Sequence, residues 1–323
     1  MRRFWIAILA MFTFTTLSAQ VSLERPYAVG ADISWLQSQV DSGVHFSDGG
    51  VEGDAMLILR DNGFNYIRLR LFVNPKSELG YSQRDGYCDL EHTLQMARRI
   101  KEAGMYFLLD FHYSDNWADP GKQIMPQAWQ TYSYDEVRDE VYNYTCSVLK
   151  ALNEQGTTPD MVQVGNEVSN GMLWPYGSVR HSFSGLCGLL REGVRAVREC
   201  APEAEIMIHV ALGGQDEESE RFFNAMAEYG VEYDIIGQSY YPEWHGTLEE
   251  LEANLNKLVV QFGKPVIVVE YRDHYLDIDR IVRAIPGNMG RGTFIWEATS
   301  PQWGNLFDQH GAANPQLDNY NDK

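Results

Sequence analysis

Two short stretches end in a carboxyl group after an apolar body: "MVQVGNE", closing on Glu167, and "PVIVVE", closing on Glu270. An apolar run of this kind predicts a buried strand, and an acid at its end is held rigidly and partly out of water. A pair of such acids suits the cleavage of a glycosidic bond. One, protonated near neutral pH, donates to the leaving oxygen, while the other, ionised, attacks or stabilises the anomeric carbon. A strand-end acid also serves as a helix cap or an arginine partner, and the two acids together in this alternation argue for a site more strongly than Glu167 alone.

The elements that must position this pair repeat along the chain. Eight β-rich runs are present: "YAVGADIS", "FNYIRLRLF", "MYFLLDFHY", "DMVQVGNE", "EIMIHVAL", "YDIIGQSYY", "PVIVVEY" and "GTFIWE". Amphipathic helix patterns separate them, among them "DLEHTLQMARRIKEAG", "DEVRDEVYNYTCSVLKALNEQG" and "TLEELEANLNKLVVQFG". The first opens beside an Asp cap and stops at Gly104, and the last stops at Gly263. Alternation of this kind predicts parallel strands with helical crossovers. Its length and count predict a single α/β domain, a (β/α)8 TIM barrel, over 21–323 after a signal peptide at 1–20. A doubly wound sheet would place a Gly-rich phosphate turn after the first strand, and "GADISWL" is no such turn.

In a barrel the C-terminal strand ends share one face. Here they carry Asp32 and Trp35, Arg68 and Arg70, Asp110 and His112, Asn166 and Glu167, His209, Tyr240 and Tyr241, Glu270, and Trp296 with Glu297. Every apolar run thus ends in polar or aromatic groups, as a site on that face requires.

A formal net charge of −19 over 323 residues opposes nucleic acid and anionic membrane partners. Eight Trp and eighteen Tyr suit stacking on an uncharged sugar. The N-terminal "MRRFWIAILAMFTFTTLSAQ" has a basic start, a short apolar run and a small residue before Gln20, the pattern of a cleaved signal peptide. Export is therefore expected, with a periplasmic, cell-surface or secreted destination. Cys88, Cys146, Cys187 and Cys200 show no metal-binding spacing and are expected to be buried free thiols. The tail "NPQLDNYNDK" is expected to fray.

The stretches "GNEVSNGMLWP", "LDFHYSDNWADPGKQ", "IRLRLFVNP" and "IGQSYYPEWHGTL" resemble glycoside hydrolase family 53, the endo-β-1,4-galactanases of clan A. The resemblance covers nearly the whole mature chain. It implies a retaining endo-hydrolase acting on β-1,4-galactan in type I arabinogalactan, with no required cofactor. It implies Glu167 as acid/base, Glu270 as nucleophile, Asn166 as partner of the sugar 2-hydroxyl, Arg70 as the arginine touching the nucleophile, and Tyr240 as the sixth-strand group beside it. One departure is visible: "EYRDHY" follows the nucleophile where the family continues with a small residue and Tyr. Another clan A glycanase, such as a mannanase or cellulase, and a non-catalytic glycan-binding barrel are the competing readings.

The remaining positions follow from their chemistry. His112 and His209 lack metal-ligand company and are expected to hydrogen-bond hydroxyls or a catalytic carboxylate. In the third loop, Trp117 is expected to wall a sugar subsite and Asp115 to accept hydroxyl hydrogens. Trp244, Trp296 and Trp303 carry the same expectation as Trp117, with Trp296 foremost because it ends a strand. Asp308, Asp318 and Asp322 offer oxygens for a structural calcium, although their spacing matches no calcium loop. The protein is expected to be a monomer.

Overall fold

The structure, a computed structural model, describes residues 25–321. The proposed signal peptide and Asp322 lie outside the described residues. Eight parallel strands close into a barrel in chain order. They are β1 (Ala28–Asp32), β2 (Tyr66–Leu71), β3 (Tyr106–Phe111), β4 (Met161–Val164), β5 (Glu205–Val210), β6 (Ile235–Tyr240), β7 (Val266–Tyr271) and β8 (Gly290–Ile295). All eight coincide with the runs read from the sequence.

Helices cross over between them and hold the barrel's outer surface. The Leu90–Glu102 helix is capped by the Asp89 carboxylate on the His92 amide, and Gly263 ends the Leu248–Phe262 helix in the left-handed region. Capping boxes start the helices Tyr134–Glu154 and Leu248–Phe262, where Ser133 pairs with Glu136 and Thr247 with Glu250. These devices fix where each helix begins, and hence the length of the loop above each strand.

The barrel interior has two parts. At the floor, Tyr66, Leu108, Met161, Met207, Ile235, Ile267, Val269 and Phe294 form a dry apolar plug. Two glycines make room for it. A Cβ on Gly30 would sit 2.1 Å from the Phe294 ring, and one on Gly237 would sit 2.6 Å from the Met207 sulfur. Above the plug, inward positions two residues further along the strands become polar: Asp32, Arg68, Asp110, Gln163, His209 and Ser239, all buried.

Glu270 joins this polar layer because β7 is irregular. Its register against β8 slips between Val268 and Tyr271, and that against β6 slips between Gln238 and Ser239. Strict alternation from Val269 would turn Glu270 outward. The bulge instead brings it in and sends Tyr271 to the outer core beside Tyr275 and Tyr320.

Two expectations are corrected here. Cys146 and Cys200 form a disulfide, their Cα atoms 5.6 Å apart, joining the Tyr134–Glu154 helix to the end of the Ser184–Cys200 helix. These are the helices on either side of β4, and they present their cysteines to one another across the packed seam. Spacing in sequence could not reveal that. Cys88 and Cys187 are buried free thiols, as expected. The tail does not fray over its described part. A 3-10 helix at Pro315–Tyr320 buries Leu317 and Tyr320, and Tyr320 stacks on Tyr275 and Phe64. Burying one large side chain of this sort contributes about 1.5–3 kcal/mol, which is what ties the segment down.

Candidate active site

A cleft of about 810 Å³ opens above the polar layer, with Glu167 and Glu270 on its walls. Both acids are nearly buried, at 8% and 7% exposure. A carboxylate oxygen of one lies within 4.8 Å of one of the other. The chain turns sharply out of β4 to present Glu167. Gly165 takes φ +84° and Glu167 itself φ +47°, a strained backbone for a residue with a side chain.

Arg68 organises the floor of the cleft and spends every N–H it has. Nε donates to Gln163 Oε1 at 3.3 Å. Nη1 donates to Asp32 at 3.2 Å and to Glu270 Oε2 at 3.1 Å. Nη2 donates to Asp110 and to the Asn166 side-chain oxygen, each at 2.8 Å. Asp32 and Asp110 are in turn fixed by Ser34 and by Gln163. A buried cation with three buried carboxylates and two amide oxygens is satisfied in full, as a low-dielectric site demands.

The arginine against Glu270 is therefore Arg68, and not Arg70 as the resemblance implied. Both point inward from β2, but two residues of strand separate them by roughly 6.6 Å. Arg70 belongs to the next level up, where it pairs with Glu297, donates to the Tyr81 hydroxyl at 3.2 Å and lies 4.3 Å from the Trp117 ring centre. It lines the cleft from there.

The tyrosine beside Glu270 is likewise Tyr241, whose hydroxyl donates to Oε1 at 2.8 Å. Tyr240 points outward and its hydroxyl reaches the Gly246 carbonyl. Ile235 and Gly237 face the interior, so alternation along β6 continues inward to Ser239 and then Tyr241. Counting that parity in the sequence would have found both residues.

Glu167 has a different neighbourhood. Its Oε1 accepts a hydrogen bond from Ser239 Oγ at 2.6 Å, and Ser239 Oγ lies 2.7 Å from His209 Nε2. Asn166 donates to the Ala118 carbonyl at 2.9 Å through one of its two amide hydrogens, which leaves the other for a ligand. Asn166 lines the cleft, as do His112, Trp117, Trp244, Trp296 and Trp303. His112 Nδ1 accepts from the Ala118 amide and Nε2 sits 3.1 Å from Asp110, so its ring is oriented from both sides. Trp117, Trp296 and Trp303 meet edge to face along one wall, and Trp35 packs on the first two from behind, edge to face on Trp117 and tilted on Trp296, with centroids 4.7 to 6.5 Å apart.

Two expected ligand contacts are not brought to the cleft. His209 is fully buried beneath Asn166 and Glu167. Asp115 uses its two oxygens on the backbone amides of Asn74 and Gln127, at 3.0 and 2.9 Å, and so clamps the second and third loops together. An acid in a loop is satisfied by nearby amides as readily as by a sugar, and the sequence does not distinguish the two.

Burial raises the pKa of Glu167 well above that of an ordinary carboxylate, and the negative charge of Glu270 raises it further. Burial also raises Glu270, but Arg68 and the Tyr241 hydroxyl oppose the rise. Both carboxyls are thus raised, Glu167 the more strongly. Glu297, read from the sequence as a strand-end group but given no role, is pushed up to about 8 by burial against the pull of Arg70. His209 falls well below the usual imidazole range through burial and the field of Arg68, so its ring is neutral.

Among the described residues, the side chains that cluster as metal ligands would are Glu167, His209 and Glu270. Both nitrogens of His209 are already engaged by Gln163, the Glu167 amide and Ser239. No such cluster among the described residues includes Asp308 or Asp318. Asp308 binds the amides of His310 and Ala312 instead.

Residues 28–280 match Glycosyl hydrolase family 53. The arabinogalactan endo-beta-1,4-galactanase A of Emericella nidulans is 38% identical over 250 residues, covering 75% of this chain and 69% of that one. An uncharacterized protein of Niallia circulans is 38% identical over 321 residues, covering 87% and 85%. The GH53 catalytic domain of Ignisphaera aggregans superposes with a TM-score of 0.85 at 33% identity, covering 93% of this chain and 97% of that one.

Proposed function

The chain belongs to glycosyl hydrolase family 53 and is a glycoside hydrolase, and on that premise we propose that it cleaves internal β-1,4-galactosidic bonds of galactan by a retaining double displacement. Glu270 is the nucleophile and Glu167 the acid/base. The observation that carries this reading is the approach of the two carboxylates to within 4.8 Å. Retaining enzymes hold their acids about 5–5.5 Å apart, whereas inverting ones leave about 6.5–9.5 Å for a water.

The chemistry follows from the surroundings. Glu270, kept ionised by Arg68 and Tyr241, attacks the anomeric carbon while Glu167 protonates the departing oxygen. Once the proton has left, Glu167 is a base for the water that releases the glycosyl-enzyme. The free N–H of Asn166 faces the cleft, where it suits the sugar 2-hydroxyl. The aromatic wall of Trp117, Trp296 and Trp303 offers flat faces to successive rings, and no charged substrate group is needed. Galactan and its galacto-oligosaccharides are the partners this implies.

The reading extends to export. The basic, apolar and small-residue segments of 1–20 support it, and no helix among the described residues is long and apolar enough to cross a membrane.

A time course of products from linear β-1,4-galactan, beside mannan and cellulose, tests the function. Internal cleavage predicts a ladder of galacto-oligosaccharides from galactan, with little release from the other two. Equal release from mannan or cellulose would place the specificity elsewhere in the clan.

A further inference from the structure

We infer that His209 and Ser239 form a fixed relay that directs the acidic proton of Glu167 onto the oxygen facing the substrate. The inference rests on the assignment of Glu167 as acid/base. Neither residue touches the cleft, and both act through Glu167 as positioning residues.

The argument is a count of hydrogens. The backbone N–H of Glu167 can only donate, and it points at His209 Nδ1, 3.4 Å away. The Gln163 amide nitrogen lies 2.9 Å from the same atom, but its two hydrogens are taken by Asp110 Oδ1 at 2.6 Å and the Asn166 side-chain oxygen at 3.0 Å. That oxygen, 3.1 Å from Nδ1, has both lone pairs filled by Gln163 and Arg68 Nη2 and takes no hydrogen from the ring. Gln163 cannot be flipped, because its oxygen accepts from Arg68 Nε. His209 Nδ1 is therefore the lone-pair side of a neutral ring, and Nε2 carries the hydrogen. That hydrogen goes to Ser239 Oγ, 2.7 Å away. A hydroxyl has one hydrogen, so Ser239 must give its own to Glu167 Oε1, 2.6 Å away. In a protonated carboxyl the carbonyl oxygen is the better acceptor, so Oε1 is that oxygen and the acid proton of Glu167 sits on Oε2.

The reverse arrangement, with Oε1 protonated and donating to Ser239, would need a hydrogen on His209 Nδ1. It would meet the Glu167 N–H head on. That N–H belongs to the left-handed residue at the turn out of β4.

The same hydrogen bond tunes acidity, since a donor on Oε1 favours the ionised form. The other groups facing Glu167 are Glu270 from β7, Arg68 from β2, Asp119 from the third loop, Tyr241 after β6 and His209 from β5. Removing only the Ser239 hydroxyl deletes none of these groups, though it leaves the buried His209 Nε2–H without its acceptor.

The test is Ser239→Ala in the full exported chain, assayed across pH on galactan and on a 2,4-dinitrophenyl galactobioside. Galactan needs the acid proton to expel its leaving group, and the dinitrophenyl glycoside does not. The alkaline limb on galactan should move up by about one pH unit, the worth of one hydrogen bond to a charged group. The kcat/KM on galactan should fall by about tenfold more than on the activated glycoside. Ser239→Thr, which keeps the hydroxyl, should return the limb to its original place. An unmoved limb with equal losses on both substrates would overturn the relay while leaving galactanase activity established. Wild-type protein inactive on galactan would instead sink the functional reading. If the alanine protein does not fold, Ser239→Cys, a weaker donor at the same place, must move the limb in the same direction or the inference fails.

Discussion

On one side of the cleft, Glu270 receives a guanidinium N–H at 3.1 Å and a phenol O–H at 2.8 Å. On the other, Glu167 receives a single neutral hydroxyl at 2.6 Å. The two acids have nearly the same burial and face each other, so burial does not distinguish them. The partners do. A cation and two donors favour the charged form, while one hydroxyl beside a like charge does not. The contrast gives one barrel mouth two carboxyls of unequal acidity within 4.8 Å of one another, as the proposed nucleophile and acid require.

The contrast breaks most completely at the proposed nucleophile. Glu270→Ala should reduce turnover on galactan by about 10⁵-fold or more, since no covalent intermediate can form. Reducing-end assays at high enzyme concentration check this, and appreciable residual hydrolysis would move the nucleophile elsewhere. Arg68→Lys keeps a charge but loses the fork that binds Asp32, Asp110, Asn166 and Glu270 together. It should cost about 10²–10³-fold in kcat, with Arg70→Lys costing less because Arg70 does not reach Glu270.

Much of this arrangement was legible in the sequence, and the misses have physical causes. The eight runs and their polar ends gave the barrel and its mouth, because period and capping are local. Glu167 and Glu270 stood out for the same reason. The bulge in β7 is not local, and strict counting would have pointed Glu270 outward. Arg68 and Arg70 share a strand face, so only depth separates their roles, and depth depends on how the strands are staggered. Tyr241 was recoverable from parity along β6. Asp115, the Cys146–Cys200 disulfide and the packed tail depend on which segments meet in space, and no spacing in the chain encodes that.

Smaller changes sharpen the same comparison. Tyr241→Phe removes one donor from Glu270 and leaves Arg68 in place. The sign is fixed: the lost hydrogen bond favoured the ionised form, so the pKa of Glu270 rises and the acidic limb moves to higher pH. The kcat should fall by about 10–100-fold, one hydrogen bond to a charged group. A limb that stays put would mean Tyr241 only packs. Trp296→Ala removes a ring from the wall without touching either acid. It should lower kcat/KM on galactan by about tenfold, through lost orientation of the sugar, while a thermal melt shows an intact fold. Full activity in a folded Trp296→Ala protein would make that ring core only.

The division of roles is tested most directly by Glu167→Ala with an aryl galactobioside whose leaving group needs no proton. The intermediate should form quickly on Glu270 and then stall for want of a base. Added azide should release it, and NMR of the product should show a galactobiosyl azide of β configuration. An azide product of α configuration would mean a single inverting displacement, and the assignment of Glu270 as nucleophile would be wrong.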